Sequence, residues 1–255
     1  MRIRILGCSG GIGGRHLRTT SILVDNDVLI DCGTGVADLS IAELAQIDHV
    51  FLTHSHMDHI ACLPLMIDTV GDMRNRPLTV YAEPATVAIL RAHIFNWAVW
   101  PDFAEIPSAD NPWLKFEPIS VGQVVELQGR RFVPLPVSHT VPALAYQLDS
   151  GKASLVFTGD TGPCRELWQA VNTIDNLKTL IVETAFSNRE RKLAEASQHL
   201  CPSMLIEELR YLQSRPEIFI THLKPGQIEL TMEEIEEDIG EFKPRMLQNN
   251  QVFKI

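Results

Sequence analysis

Seven residues, Thr53-His54-Ser55-His56-Met57-Asp58-His59, constrain what this chain can fold into more than any other stretch. They place three imidazoles and a carboxylate directly behind the apolar run 49–53 (HVFLT), which reads as a buried strand, and at the start of residues 59–70, whose apolar positions recur at helical spacing. Strand, ligand-rich loop and helix must therefore be adjacent. Side chains two apart in an extended segment point the same way, so His54 and His56 share a direction, while Asp58 and His59 lie where the helix begins. Each residue alone has an ordinary role open to it, a core hydrogen bond for a histidine or an N-cap for Asp58. Together they make one short loop able to face two metal ions.

Three further candidates share this context. FVPLPVSH ends in His139, SLVFTGD in Asp160 and EIFITH in His222, each just beyond an expected strand. Around them, Arg2 to Leu6 alternates like a strand, a glycine loop fills 7–14, and TTSILVDNDVLID reads as two strands about a turn. A strand is expected over 78–82, a helix from Pro84 to about Trp100, and a turn-rich surface excursion over 101–112. Alternation then dominates from Trp113 to Phe157, with turns at 121–122, 128–129 and 149–151, which predicts a second set of antiparallel strands. Helices are expected at about 163–172, 189–197, 201–214 and 232–239, with strands at 179–183 and 218–221. In the last helix Ile235 and Ile239 give an acidic amphipathic segment its apolar side. Two similar halves of strands followed by helices predict one α/β (α+β) domain over 1–255, an αββα sandwich of two packed sheets with helices outside.

Composition narrows the function. Twenty-two basic against 32 acidic residues leave a net charge of −10, which repels extended nucleic acid. The five cysteines, at 8, 32, 62, 164 and 201, form no CxxC pair and suit buried thiols in a reducing compartment. The first residues are too glycine-rich for a signal-peptide core, and no apolar run reaches a membrane span, so a cytoplasmic protein without a membrane partner is expected. The glycine loop leads into β-branched residues and not a helix, which excludes a dinucleotide site of the Rossmann type.

THSHMDH, a later His, a TGD and a final His resemble the metallo-β-lactamase superfamily and its HxHxDH signature across nearly the whole chain. The resemblance implies that His54, His56 and His139 hold one metal, that Asp58, His59 and His222 hold the other, and that Asp160 bridges them. Imidazoles and carboxylates suit Zn²⁺ first, with Mn²⁺ or Fe²⁺ as alternatives. Two dications about 3.5–4 Å apart share a hydroxide and neutralise charge on the group it attacks. The segments HIACLPLMIDTV, LTVYAEPATVAILRAHIFNWAVWPDFAEIP, FTGDTGP, ETAFSN, ASQHLCP and THLKP resemble, in order, the class II cyclic-nucleotide phosphodiesterases. The family usually has Leu at Met57, Gly at Gln198 and a hydroxyl residue at Cys201, so the loop carrying His199 departs from its pattern.

That resemblance implies hydrolysis of a 3′,5′-cyclic nucleotide, cAMP foremost, to the 5′-monophosphate. Asp58 and Asp160 would serve the reaction with the metals, and His199 would protonate the leaving oxygen or bind a phosphate oxygen. Asp31 resembles an aspartate that steadies a ligand histidine, and Glu183 is similar in position. Residues 93–103 concentrate aromatics and one amide, making Asn96 and Trp100 substrate-binding candidates, with helix packing as the plainer role. His16, His49 and His93 match no signature position and are expected to be structural. A small cyclic nucleotide is thus the expected partner, and a homodimer is allowed. Two other readings are a tRNA 3′-processing endonuclease or other hydrolase of this fold, and a non-catalytic cyclic-nucleotide or metal-binding regulator.

Overall fold

The structure, a computed structural model, describes residues 1–14, 16–238, 240 and 242–255. Along the chain its strands are β1 (Arg2–Gly7), β2 (Ser21–Val24), β3 (Val28–Ile30), β4 (His49–Phe51), β5 (Leu78–Ala82), β6 (Pro107–Ser108), β7 (Asn111–Pro112) and β8 (Leu114–Pro118). The second half contributes β9 (Val125–Leu127), β10 (Arg130–Pro136), β11 (Leu144–Asp149), β12 (Ser154–Phe157), β13 (Leu177–Glu183), β14 (Glu217–Thr221), β15 (Arg245–Met246) and β16 (Val252–Lys254). The helices are α1 (Ile41–Leu44), α2 (Met57–Ile60), α3 (Leu63–Val70), α4 (Pro84–His93), α5 (Arg165–Val171), α6 (Arg191–Ser197), α7 (Pro202–Leu209) and α8 (Ile228–Asp238). Ile239 lies outside the described residues, and among those described no helix is long and apolar enough to cross a membrane.

Two seven-stranded mixed sheets form, ordered β16-β1-β2-β3-β4-β5-β8 and β15-β14-β13-β12-β11-β10-β9, with β6 and β7 in a separate hairpin. Alternation along each strand builds three apolar layers. Ile22, Ile30 and Phe51 of one sheet meet Phe132, Tyr146, Phe157 and Ile181 of the other between the sheets. The residues between them turn outward: Leu23, Leu29 and Val50 pack under Leu63, Met66 and Leu90, and Val156, Leu180 and Ile220 under Trp168, Leu205 and Ile235. Both faces are covered, so these strands read as continuous apolar runs. Phe51 stacks on Tyr81 and Phe132 at centroid distances of 4.4 and 4.7 Å, linking the layers at the centre. The expected αββα sandwich is what the chain forms.

Local boundaries differ from the sequence reading for identifiable reasons. Residues 114–118, expected in the second strand set, pair in parallel with β5 and close the first sheet, because Trp113 and Phe116 pack against its outer layer. The helix expected to run to Trp100 ends at His93. There the Asn96 side chain accepts from Ala98 N and Val99 N and donates to Ala92 O, closing a turn that competes with the helix. The helix expected over 59–70 is broken after Ile60, where Cys32 N bonds His59 O and Cys62 N bonds Cys32 O. Helix α7 stops at Leu209 and not at 214, as Asn172 takes Gln213 N and donates to Tyr211 O. The excursion at 101–112 carries the hairpin, yet buries Phe103 in the core.

Arg130, from the second sheet, grips Asp27 with both terminal nitrogens at 2.7 Å and reaches Asp25 at 3.0 Å in the turn between β2 and β3 of the first sheet. Burial alone would raise the Asp27 carboxyl, but the Arg130 hydrogen bonds and charge hold it below the usual range. A lowered carboxyl contributes stability that is complete above its unfolded value and is lost as pH falls through its folded one. Arg130→Met should therefore cost about 1–3 kcal/mol at pH 7 and much less at pH 3. Urea unfolding at the two pH values reads the difference, and an equal loss at both would mean packing, not charge, holds the clasp.

Candidate metal centre

Most of the candidates stand at or just beyond the C-terminal end of a strand: Asp31 after β3, the 54–59 loop after β4, His139 after β10, Asp160 after β12, Glu183 at the end of β13 and His222 after β14, while His199 lies between α6 and α7. β3 and β4 are parallel, as are β12, β13 and β14, and β10 runs with β12 because both are antiparallel to β11. One end of the sandwich thus receives them all. Two donor groups form there, His54, His56, His139 and Asp160 in one and Asp58, His59 and His222 in the other, with ligand atoms in each within 4.8 Å of one another. Asp160 lies between them, its Oδ2 3.6 Å from His54 Nε2 and 3.3 Å from His59 Nε2, and its Oδ1 3.2 Å from His222 Nδ1. Asp58 Oδ2 is 3.9 Å from His59 Nε2 and 3.7 Å from His222 Nε2.

The ring nitrogens that face inward are unsatisfied. His54 Nε2, His59 Nε2 and both nitrogens of His222 are buried without a hydrogen-bond partner, an expensive arrangement unless something coordinates them. Burial pushes His54, His56, His139 and His222 below the usual imidazole value, His222 to about 3, despite the opposing charge of Asp160. At neutral pH these four are uncharged, the form that binds a metal. Asp160 is held well below the usual carboxylate range, burial being outweighed by His222 and His59. His59 is the exception: burial would lower it, but the charges and hydrogen bonds of Asp160 and Asp31 raise it well above the usual imidazole value, so an ion would have to displace its proton, while the other rings and the carboxylates fit a pair of divalent ions as they stand.

Around the donors a supporting layer fixes which nitrogen is free. His59 Nδ1 meets Asp31 Oδ2 at 2.7 Å, and the same buried carboxylate accepts from Thr53 N and Thr53 Oγ1. Thr53 Oγ1 also lies 3.0 Å from His54 Nδ1. The backbone carbonyl of Gln198 accepts from His139 Nδ1 at 3.0 Å, and Glu183 Oε1 takes His199 Nδ1 at 2.7 Å. His199 is 7% exposed, and its inward nitrogen groups with Asp160 and His222. Glycines make room: a Cβ on Gly10 would fall 2.3 Å from His222 O, and one on Gly33 2.2 Å from Asp58 O. Cys201 supplies no cap to α7, and Asn188 Oδ1 instead accepts from Ser203 N at 2.9 Å.

Asn96 and Trp100 fall outside this cluster. The Asn96 amide is engaged in its own turn, and Trp100 packs against the outer layer of the first sheet. The sequence reading missed Thr53, which joins Asp31 to two ligand rings, although a hydroxyl immediately before the first histidine was its visible sign. It also missed the Gln198 carbonyl, for which side-chain patterns carry no signal.

A family profile described as Beta-lactamase superfamily domain matches residues 26–223. A Yersinia pestis protein named "Probable 3',5'-cyclic-nucleotide phosphodiesterase" is 26% identical over 276 residues, spanning 87% of this chain and 77% of that protein. A Methanosarcina acetivorans protein named Ribonuclease Z is 23% identical over 260 residues, 78% of this chain and 80% of its own. The crystal structure of unliganded yeast PDE1 superposes with a TM-score of 0.81 at 20% identity, covering 100% of this chain and 99% of that one, a likeness of fold.

The Asp31 network has a measurable consequence. Asp31→Asn keeps the shape but sets an amide against three donors, so His59 loses its fixed tautomer. Competition with a chromophoric chelator should show divalent-metal affinity falling about 10–100-fold, with a lower melting temperature; unchanged affinity would confine Asp31 to holding Thr53.

Proposed function

The chain belongs to the β-lactamase superfamily, and from that premise we propose that it is a cytoplasmic two-metal phosphodiesterase opening 3′,5′-cyclic nucleotides, cAMP foremost, to 5′-monophosphates. The observation that carries the reading is the pair of donor groups sharing Asp160, with unpartnered ring nitrogens turned inward. His54, His56 and His139 would hold one ion, Asp58, His59 and His222 the other, and Asp160 both. Zinc fits these donors best, and Mn²⁺ or Fe²⁺ next. When bound, the ions acidify a water for attack on phosphorus and offset charge on the phosphoryl oxygens.

The chain's own residues do the rest. Counting two bound ions as +4, Asp58 and Asp160 as −2 and the attacking hydroxide as −1, the loaded mouth would be about +1 and would attract a monoanionic phosphodiester despite the acidic surface. His199 carries the proton question. Burial would lower its imidazole, but the charge and hydrogen bond of Glu183, with Asp160 behind, raise it above its ordinary value. With Nδ1 on Glu183, its Nε2 is free to donate to the departing 3′ oxygen or to a phosphoryl oxygen. The Yersinia pestis relative supports this substrate class. The Ribonuclease Z relative favours a second reading, a tRNA 3′-processing nuclease, against which stands the net charge of −10.

Elemental analysis of the saturated protein should give two metals per chain, and that protein should convert cAMP to 5′-AMP with only shallow salt dependence. One metal at saturation would defeat the two-ion reading, and a steep loss of affinity with salt together with pre-tRNA cleavage would replace it by the nuclease.

His199→Ala should lower turnover of cAMP about 10²–10⁴-fold, the range for a general acid, with metal content unchanged. On bis(4-nitrophenyl) phosphate, whose leaving group needs no proton, the loss should be much smaller. Equal large losses on both substrates would make His199 a phosphate ligand instead.

A further inference from the structure

Gln198 closes α6 in the left-handed region, at φ 52° and ψ 53°, a conformation that strains any side chain and favours glycine. Strain of this kind persists where the surroundings enforce it and gathers at functional sites. Its backbone has a clear task, since its carbonyl fixes His139 through Nδ1. A glycine would present the same carbonyl without strain, so that task does not account for the side chain.

The side chain packs against the segments that carry Asp160 and His139. Its Cβ and Cα crowd Gly162, whose own Cβ would fall 3.5 and 3.3 Å from them, and Gly162 N bonds Ser138 O beside His139. The Ser138 hydroxyl donates to Gln198 Oε1 at 3.5 Å, orienting the carboxamide. Among the described residues no protein acceptor takes the Nε2 hydrogens. The next residue is His199, whose ring stands 5.0 Å from that of His139. A half-buried amide with two spare donors therefore stands beside Ser138, next in sequence to the proposed ligand His139, and directly before the proposed proton donor His199.

We propose that the Gln198 carboxamide is a substrate-specificity group that donates a hydrogen bond to the ribose 2′-hydroxyl of the bound cyclic nucleotide. This rests on the phosphodiesterase reading: if His199 serves the 3′ oxygen, the neighbouring side chain meets the sugar on that side, and the oxygen adjacent to O3′ is the 2′-hydroxyl. A carboxamide donor and a hydroxyl acceptor are matched, and neither carries charge that the metals would repel. The side chain selects ribose over deoxyribose, while the backbone of the same residue sets the tautomer of His139.

The test compares kcat/KM for cAMP and 2′-deoxy-cAMP in the metal-loaded wild type, Gln198→Leu and Gln198→Gly. The wild type should prefer cAMP about 3–10-fold, the worth of one neutral hydrogen bond. Both variants should lose that preference, the ratio of the two kcat/KM values falling to about one whatever the absolute rates. Gln198→Gly keeps the carbonyl and relieves the strain, so its melting temperature should rise about 2–4 °C, which guards against loss through misfolding. A ribose preference retained in both variants overturns the assignment of Gln198 and leaves the phosphodiesterase reading standing. A wild type that opens neither nucleotide overturns both.

Discussion

Three carboxylates, Asp31, Asp160 and Glu183, are withdrawn from water at one end of an apolar sandwich, none more than 2% exposed. Burying a carboxylate costs several kcal/mol unless it is paired and hydrogen-bonded; His59 meets Asp31 and His199 meets Glu183 at hydrogen-bond distance, whereas Asp160 has His54, His59 and His222 around it at ion-pair distance only. Burial raises Asp31 and Glu183 above the usual carboxylate range even so. The geometry of the strand ends, the glycines at 10 and 33 and the turn at Gln198 all serve to bring these pairs within reach. Loosen any of them and a buried charge stands alone.

The centre is also a junction between halves. Asp31 and the 54–59 loop come from the first sheet, whereas His139, Asp160, Glu183 and His222 come from the second. Arg130 joins the same two sheets through Asp25 and Asp27, at the turn between β2 and β3. That turn lies at the other end of β3 from Asp31, so the sandwich is fastened electrostatically at both ends and by the apolar layer between. An ion held by donors from both sheets would add a further tie between them.

Much of this was legible in the sequence because it depends on side-chain type and period. The crowding of residues 53–59 and the acid or histidine behind each apolar run mark the donors that the strand ends bring together, and alternation gave the layered class, whereas His199 was marked by the family resemblance alone. What stayed hidden depends on partners distant in sequence or on backbone atoms. Residues 114–118 alternate like any edge strand, and only the packing of Trp113 and Phe116 decides which sheet they join. Asn96 sits in a helix-like pattern, and its power to end the helix is exercised through backbone groups two and three residues on. The short strands β15 and β16 hold too few residues for alternation to be seen at all.

The pairing of the chain's beginning with its end has a consequence during synthesis. β1 is flanked by β16, with Ile3 opposite Phe253, and His222 N bonds the carbonyl of Cys8. β1 and the loop behind it therefore wait for partners made more than two hundred residues later, about 10–40 s at ~5–20 residues per second. The donor group of His54 and His56 has all its members once Asp160 is made, whereas Asp58 and His59 wait for His222. The second donor group is thus complete only when the residue after β14 is made, and a chain cut short before it would lack that group.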